Sequence, residues 1–328
     1  MAVTFDLDFD GSPGRVDHVA PGLRRLLAPN PSRFTFHGTG TYIVGAGNEV
    51  AVIDPGPERD AHHEALLTAL DGLRVSHIFV THTHRDHSPL ARRLSAVTGA
   101  PIVGCGPHGE TRADDPDDVI DFGPLDDDDD DDAPSTPGPA ESEEEARDGG
   151  VDTEHLPDTQ LHDGDVVTGD GWTLEAVHTP GHTSNHLCFA WREASALFTG
   201  DHVMGWSTSV IGPPDGDMGA YLESLEKLLE RDDEVYWPTH GNPIREPHTY
   251  VRGLIEHRRE RERQVVESLQ TGVDQIEQLV RARYQHVSKR LWPAAARSIH
   301  AHLLDLAERG VVASSSGSHR LTDRYELV

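Results

Sequence analysis

"FVTHTHRDHS", Phe79 to Ser88, sets three histidines and an aspartate within six positions, directly after an apolar run. His82, His84, Asp86 and His87 form the pattern H-x-H-x-D-H. The preceding "SHIFVTH" reads as a short buried strand, because Ile78, Phe79 and Val80 are contiguous β-branched or aromatic residues. The following "SPLARRLSAVTG" reads as a helix. Ser88 suits its N-cap, Pro89 its first position and Gly99 its end. The cluster therefore sits on a loop leaving a strand, where rigid elements position functional groups. His82 and His84 alternate with threonines, so strand geometry sends both rings to one side. Imidazole and carboxylate are zinc ligands, and a two-metal site needs more of them than one zinc does. The stretch reads as half of a dinuclear metal site, and the rest of the chain has to supply the other half.

Strands and helices alternate on both sides of the cluster. "RFTFHGTGTYIVGAGNEVAVIDPG" (Arg33 to Gly56) reads as two strands joined by a Gly-Asn turn. "HHEALLTALDGL" reads as a helix, and "PIVGC" as a strand. This alternation argues for a layered α/β domain. From Thr111 to about residue 160 the pattern breaks. Seven consecutive aspartates, Asp126 to Asp132, precede "APSTPGPAESEEEA". Low hydrophobicity and like charge predict a disordered or solvated insertion. The tract lacks the positional pattern of an EF-hand. Order resumes with strands at Thr173–Val177, Leu187–Trp191 and Ala196–Phe198, a helix at "MGAYLESLEKLLERD" and a strand at "EVYWPTHG". Beyond Pro247 come helices at Tyr250–Leu269, Asp274–Tyr284 and Pro293–Arg309, then a hairpin-like tail. The division is residues 1–249 and a small winged-helix-like domain at 250–328. Leu291, Trp292, Ile299, Leu303, Leu304 and Leu306 offer an apolar helix surface, either a small core or a pairing face for a homodimer.

The chain has 328 residues and a formal charge of −29. Residues 113–154 carry 19 acidic residues and one arginine, whereas residues 251–328 carry a net +3. Only Lys227 and Lys289 are lysines. The acid-rich, Lys-poor surface fits adaptation to high salt or high-GC codon usage. Cys105 and Cys188 are far apart, which argues against a disulfide framework and for a reducing, cytoplasmic setting. No basic apolar leader and no membrane-length apolar run is visible, so no membrane partner is expected.

Three later motifs answer the first. "HTPGHTSNH" places His182 on a Pro-Gly turn after a strand, "FTGDH" places Asp201 on a Gly turn after a strand, and "PTHG" places His240 likewise. "THTHRDH", "TPGHT", "TGDH" and "PTHG", in this order, resemble the metallo-β-lactamase fold superfamily over residues 33–245. The resemblance implies a four-layer αββα sandwich. It implies that His82, His84 and His182 bind a first metal, that Asp86, His87 and His240 bind a second, and that Asp201 bridges them. Asp54 in "VIDPG" matches an aspartate expected to orient a ligand histidine. The all-His/Asp ligand set suits two Zn²⁺ per chain, with manganese or iron as alternatives. Two metals about 3.5–4 Å apart hold and acidify a water for attack on a carbonyl or phosphorus. Asp86 and His186 are the candidates for a direct part in catalysis, and the Trp206-Ser207 loop is a candidate pocket wall. His178 reads as structural.

True lactamases fit poorly, because the resemblance leads one to expect Cys or Ser where Asp201 stands. The flavodiiron group is disfavoured, because it is expected to carry Glu at the position of His84. "GTYIVG", "GDHVMG" and the C-terminal region resemble the β-lactamase-like protein 2 group. That resemblance implies a phosphodiesterase or endoribonuclease acting on single-stranded RNA. A small-molecule thioester hydrolase of the glyoxalase II type stands second. A nucleic-acid-binding or assembly protein with a vestigial metal site stands third. The acidic N-terminal domain weighs against tight RNA binding, since phosphate contacts carry most such affinity.

Overall fold

The computed structural model describes residues 3–109, 118–123, 150–285 and 287–328. Seven strands form one sheet in sequential order: β1 (Val16–Ala20), β2 (Leu23–Leu27), β3 (Gly40–Val44), β4 (Glu49–Ile53), β5 (Arg74–Val80), β6 (Ile102–Gly104) and β7 (Thr159–Gln160). A second sheet contains β8 (Val166–Gly169), β9 (Trp172–His178), β10 (Leu187–Trp191), β11 (Ala196–Gly200) and β12 (Val235–Pro238), again neighbouring in sequence order. Helices α1 (Asp60–Ala69) and α2 (Leu90–Thr98) pack on the first sheet, and α3 (Met218–Leu228) on the second. The layers are therefore αββα, as the motifs imply.

Strands covered on both faces need apolar side chains on both faces, so they read as continuous apolar runs. β3 "GTYIV" and β10 "LCFAW" are buried at every position. Phe79, Trp172, Phe189 and Phe198 fill the space between the sheets, with Phe79 edge-on to Phe189 at 5.1 Å. On the far side of the second sheet, Tyr221, Leu225 and Leu228 of α3 cover Val177, Cys188 and Leu197. Both cysteines are buried and free.

The connections decide where function collects. β4, β5, β6 and β7 run parallel, and so do β11 and β12. A parallel pair needs a crossover, and α1, α2 and α3 supply those of β4–β5, β5–β6 and β11–β12. Asp54 follows β4, His82 follows β5, Asp201 follows β11 and His240 follows β12. All lie beyond carboxyl ends of strands, the usual place for ligands in α/β sheets.

Several sequence expectations shift. The hairpin of β1 and β2 was not foreseen, although Pro21-Gly22 turns it and Gly22 is left-handed at φ +72°. Gly99 ends α2 in the left-handed conformation, as expected. Ser88 does not cap α2: its hydroxyl donates to Asp152 at 2.9 Å, and Pro89 occupies the N-cap. The insertion is not disordered throughout residues 111–160. The Asp118 carboxylate accepts from the Leu321 and Thr322 amides at 2.7 and 2.9 Å, and Phe122 meets Trp292 edge-on at 5.5 Å. Gly150 accepts from the Arg85 amide at 2.8 Å, and the Asp152 amide donates to Thr83 at 2.7 Å. These segments order because they carry partners that a bare charge run lacks. Asp126 to Asp132 lie outside the described residues.

The C-terminal region contains α4 (Pro247–Gln270), α5 (Ile276–Arg283), α6 (Trp292–Glu308) and the antiparallel pair β13 (Val312–Ser314) and β14 (Tyr325–Leu327). The expected division at residue 249 falls inside one helix. Val251, Leu254 and Ile255 of α4 belong to the core under the second sheet, while Val265 and Leu269 belong to the C-terminal core. Trp292, Ile299, Leu303 and Leu306 are buried in that same C-terminal core, while Leu291 and Leu304 are half-buried. Among the described residues no helix is long and apolar enough to cross a membrane.

Candidate metal centre

Seven side chains converge where the two sheets' strand ends meet. His82, His84, His182 and Asp201 form one group and Asp86, His87 and His240 another, each with its ligand atoms within 4.8 Å of one another. Asp201 faces both. Its Oδ2 lies 3.8 Å from His182 Nε2, while its Oδ1 lies 3.5 Å from His87 Nε2 and 3.3 Å from His240 Nε2. Asp86 Oδ2 lies 3.2 Å from both His87 Nε2 and His240 Nε2.

The hydrogen-bond network tests whether cations fit. A neutral imidazole has one N–H, and its partner fixes which nitrogen is bare. Thr81 gives its hydroxyl proton to Asp54 at 2.8 Å, so its oxygen accepts from His82 Nδ1 at 3.0 Å. His182 Nδ1 donates to the Val210 carbonyl at 2.6 Å. His87 Nδ1 donates to Asp54 at 2.9 Å, and His240 Nδ1 to the Gly38 carbonyl at 3.3 Å. Four Nε2 atoms are thereby left bare and aimed inward. His84 Nδ1 sits 3.0 Å from both His82 Nε2 and His182 Nε2. His87 Nε2 and Asp201 Oδ1 are buried without a hydrogen-bond partner. Converging lone pairs with no protons between them repel unless a cation lies among them. The residues fit two metal ions, and the His/Asp chemistry suits zinc.

Proton affinities agree with that division. Burial, with neighbouring imidazoles, holds His82 well below its usual value, and burial brings His84 down to about 3. Both stay neutral and ligand-ready. At His240 burial also pulls downward, but Asp201 and Asp86 more than offset it and raise the ring to about 10. The second group thus takes up protons where a metal would sit, and metal binding has to release them.

The ligands other than His84 are braced by hydrogen bonds. Asp54, left-handed at φ +47° and buried, accepts from the Thr81 amide and hydroxyl at 2.8 Å and from His87. Asp86 accepts from Thr39 at 2.9 Å, and Asn30 holds Thr39 through two hydrogen bonds. Gly181 is required beside His182: a Cβ there would stand 2.3 Å from Tyr221 Cα, at φ +133°.

This set of ligands, order of strands and braced histidines matches one family over most of the chain. Residues 35–240 match the Metallo-beta-lactamase superfamily, and residues 276–320 match the Beta-lactamase associated winged helix domain. The chain belongs to the metallo-β-lactamase superfamily. The Beta-lactamase-like protein 2 homolog of Drosophila melanogaster is 30% identical over 90% of this chain and 91% of its own. The Atrochrysone carboxyl ACP thioesterase of Paecilomyces divaricatus is 30% identical over 77% of this chain and 66% of its own. The chain thus spans just under two thirds of the length of that fungal relative. A Beta-lactamase domain protein from Burkholderia ambifaria has the same fold, with a TM-score of 0.72 over 99% of this chain and 97% of its own, at 20% identity.

Within this metallo-β-lactamase fold, a cavity of about 730 Å³ opens over the ligands. His84, Asp86, His182, Asp201 and His240 reach it. His186, expected near the substrate, does not. It is fully buried beneath the centre, where its Nε2 accepts from the Asp201 amide at 3.2 Å and its Nδ1 meets Thr179 at 2.9 Å. Its place is to hold the Asp201 turn. Trp206 and Ser207 are not in the wall either. Trp206 stacks on Phe36 at 4.9 Å and Ser207 turns to the Thr208 carbonyl, while Met204 and Val210 line the cavity instead. His202 is buried edge-on to Tyr221 at 4.9 Å, and His178 meets the Ser184 carbonyl at 3.2 Å. Neither lines the cavity. Thr39, Asn30 and the Val210 carbonyl are the functional groups that sequence reasoning missed.

Proposed function

We propose that the protein is a dinuclear zinc hydrolase that cleaves the thioester or ester carbonyl of a small, extended substrate. The observation that carries this reading is the placement of Asp201 between two ligand groups at the floor of a cavity walled by both halves of the chain. A volume near 730 Å³ suits a small molecule rather than a folded polymer. The thioesterase named among the fungal relatives supports carbonyl chemistry.

Bound zinc would supply an acidified water and a Lewis acid for the substrate oxygen. The chain's own residues do the rest. His82, His84 and His182 would hold one ion and Asp86, His87 and His240 the other, with Asp201 within reach of both groups. Asp54 fixes the tautomer of His87, and the Val210 carbonyl fixes that of His182. His186 keeps the Asp201 backbone in place. Met204, Val210 and Phe34 give the cavity an apolar part of its wall.

Phosphodiester cleavage of single-stranded RNA, placed first by the sequence, is the second reading. One observation favours it: Arg33, Arg59, Arg290 and Arg297 line the same cavity. Against it stands a chain of charge −29, which opposes the extended phosphate contacts that RNA needs. A vestigial site is disfavoured because all seven ligands are intact.

The experiment is an assay of zinc-loaded protein on butyryl-coenzyme A, S-lactoylglutathione and single-stranded RNA, with Asp201→Ala alongside. Thioester turnover that disappears in the variant is expected. RNA cleavage without thioester turnover would overturn the reading in favour of the second.

A further inference from the structure

The cavity inverts the charge of the molecule around it. The chain carries 57 acidic residues against 28 basic ones. Yet four guanidiniums, those of Arg33, Arg59, Arg290 and Arg297, line this cavity. Among the described residues, Asp215 is the one carboxylate in the lining apart from the metal ligands Asp86 and Asp201. A cleft lined by one sign of charge concentrates ligands of the other sign, more strongly when its walls are apolar.

The four arginines divide by what else they do. Arg59 donates to the Pro29 carbonyl at 3.0 Å, and Arg33 donates to the Arg290 carbonyl at 2.8 Å. Both brace the loop of residues 29–35, and Arg33 ties that loop to the C-terminal region. Structural roles account for these two. Arg297 is different. It lies on α6, is exposed, and makes no hydrogen bond or ion pair among the described residues. It also lines a second cavity of about 800 Å³, which shares Pro213, Pro214 and Asp215 with the first. That neighbouring space is the more acidic of the two: Asp118, Asp217, Asp305 and Glu308 line it beside Arg320, so it disfavours an anion moving further along. Arg297 therefore marks the place where an anionic group would stop.

We propose that Arg297 binds an anionic phosphate or carboxylate group of the substrate, so that the winged-helix region selects what the metal centre cleaves. The guanidinium fork suits either oxyanion, since both accept paired N–H bonds. This inference rests on the reading of the site as a thioester or ester hydrolase, and names the kind of substrate it takes.

The test compares kcat and KM for butyryl-coenzyme A, which carries phosphates, S-lactoylglutathione, which carries carboxylates, and the uncharged butyryl-N-acetylcysteamine thioester. Arg297 is exposed, so Arg297→Ala is expected to fold. It should raise KM about tenfold on a charged substrate, change kcat less than twofold, and leave the uncharged thioester unaffected. Arg297→Lys should recover part of the loss. A shift confined to the coenzyme A thioester identifies phosphate, and one confined to the glutathione thioester identifies carboxylate. Equal effects on charged and uncharged substrates, or none on any, would overturn the proposal. If no thioester is turned over, the functional reading fails, and calorimetric titration with adenosine 3′,5′-bisphosphate and with glutathione tests the anion site alone. Binding to wild type that weakens in Arg297→Ala sustains it, and no binding to wild type overturns it.

Discussion

Arg258 donates through its guanidinium to the carbonyl of Ser209, one residue before Val210, whose carbonyl receives the Nδ1 proton of His182. Arg258 is 3% exposed, lies over the Tyr221 ring at 5.3 Å and reaches Ser298 on α6 at 3.5 Å. A helix shared by both halves of the chain is thus linked to a metal ligand through one short loop. Arg258→Ala leaves the Ser209 carbonyl buried without its donor. Hydrogen bonds to charged groups contribute about 1.5–3 kcal/mol. A loss of about that size is expected in urea unfolding, together with weaker zinc binding at the first site. Unchanged zinc affinity would break the proposed link.

Asp54→Asn tests the tautomer argument. The amide would present N–H toward His87 Nδ1, donor against donor, unless the His87 proton moved to Nε2. A proton there occupies the position of the second metal. The second zinc is expected to bind about 10–100-fold more weakly, with the first nearly unaffected. Titration against a competing chelator reads the two steps separately. Parallel weakening of both would contradict the assignment.

The metal-free protein carries a pH signature. His240 titrates near 10 in the fold and near 6.5 when unfolded, because Asp201 and Asp86 overcome its burial. A raised folded value gives stabilisation that is complete below about pH 6.5 and is lost as pH climbs toward 10. Zinc bound at this site would displace that proton. The urea midpoint of chelated protein should fall between pH 7 and pH 10, while that of zinc-loaded protein should show no such slope. Identical slopes with and without zinc would contradict the account.

Gly181→Ala tests the Pro-Gly turn. Its Cβ would meet the Tyr221 backbone at a φ that L-residues rarely adopt. A destabilisation of about 3 kcal/mol is expected from steric and backbone strain together, and thermal unfolding measures it. A melting temperature equal to wild type would show that the turn tolerates a side chain.

The sequence was most legible where one short motif carries both a strand end and a ligand. "FVTH", "TPGH", "TGDH" and "PTHG" each do so, and all four meet at one site. Asp54 was legible for the same reason. His186 was misplaced because proximity in "HTSNH" says nothing about depth: the residue precedes β10, and its ring turns beneath Asp201. Trp206 was misplaced because Phe36, far away in sequence, captures it. The Val210 and Gly38 carbonyls carry no side-chain identity for a motif to reveal. Arg297 looks like any exposed helix arginine until α6 is brought against the cavity. The β1–β2 hairpin is marked in the sequence only by its Pro-Gly turn, because polar and charged residues interrupt the apolar ones in "VDHVA" and "LRRLL".

The central claim is that Asp201 is shared between two metal ions. Anomalous diffraction at the zinc edge from zinc-reconstituted crystals tests it most directly. The account predicts two peaks per chain about 3.5–4 Å apart, one among His82, His84 and His182 and the other among Asp86, His87 and His240, with Asp201 between them. A single peak, or two peaks with Asp201 touching only one, would contradict it.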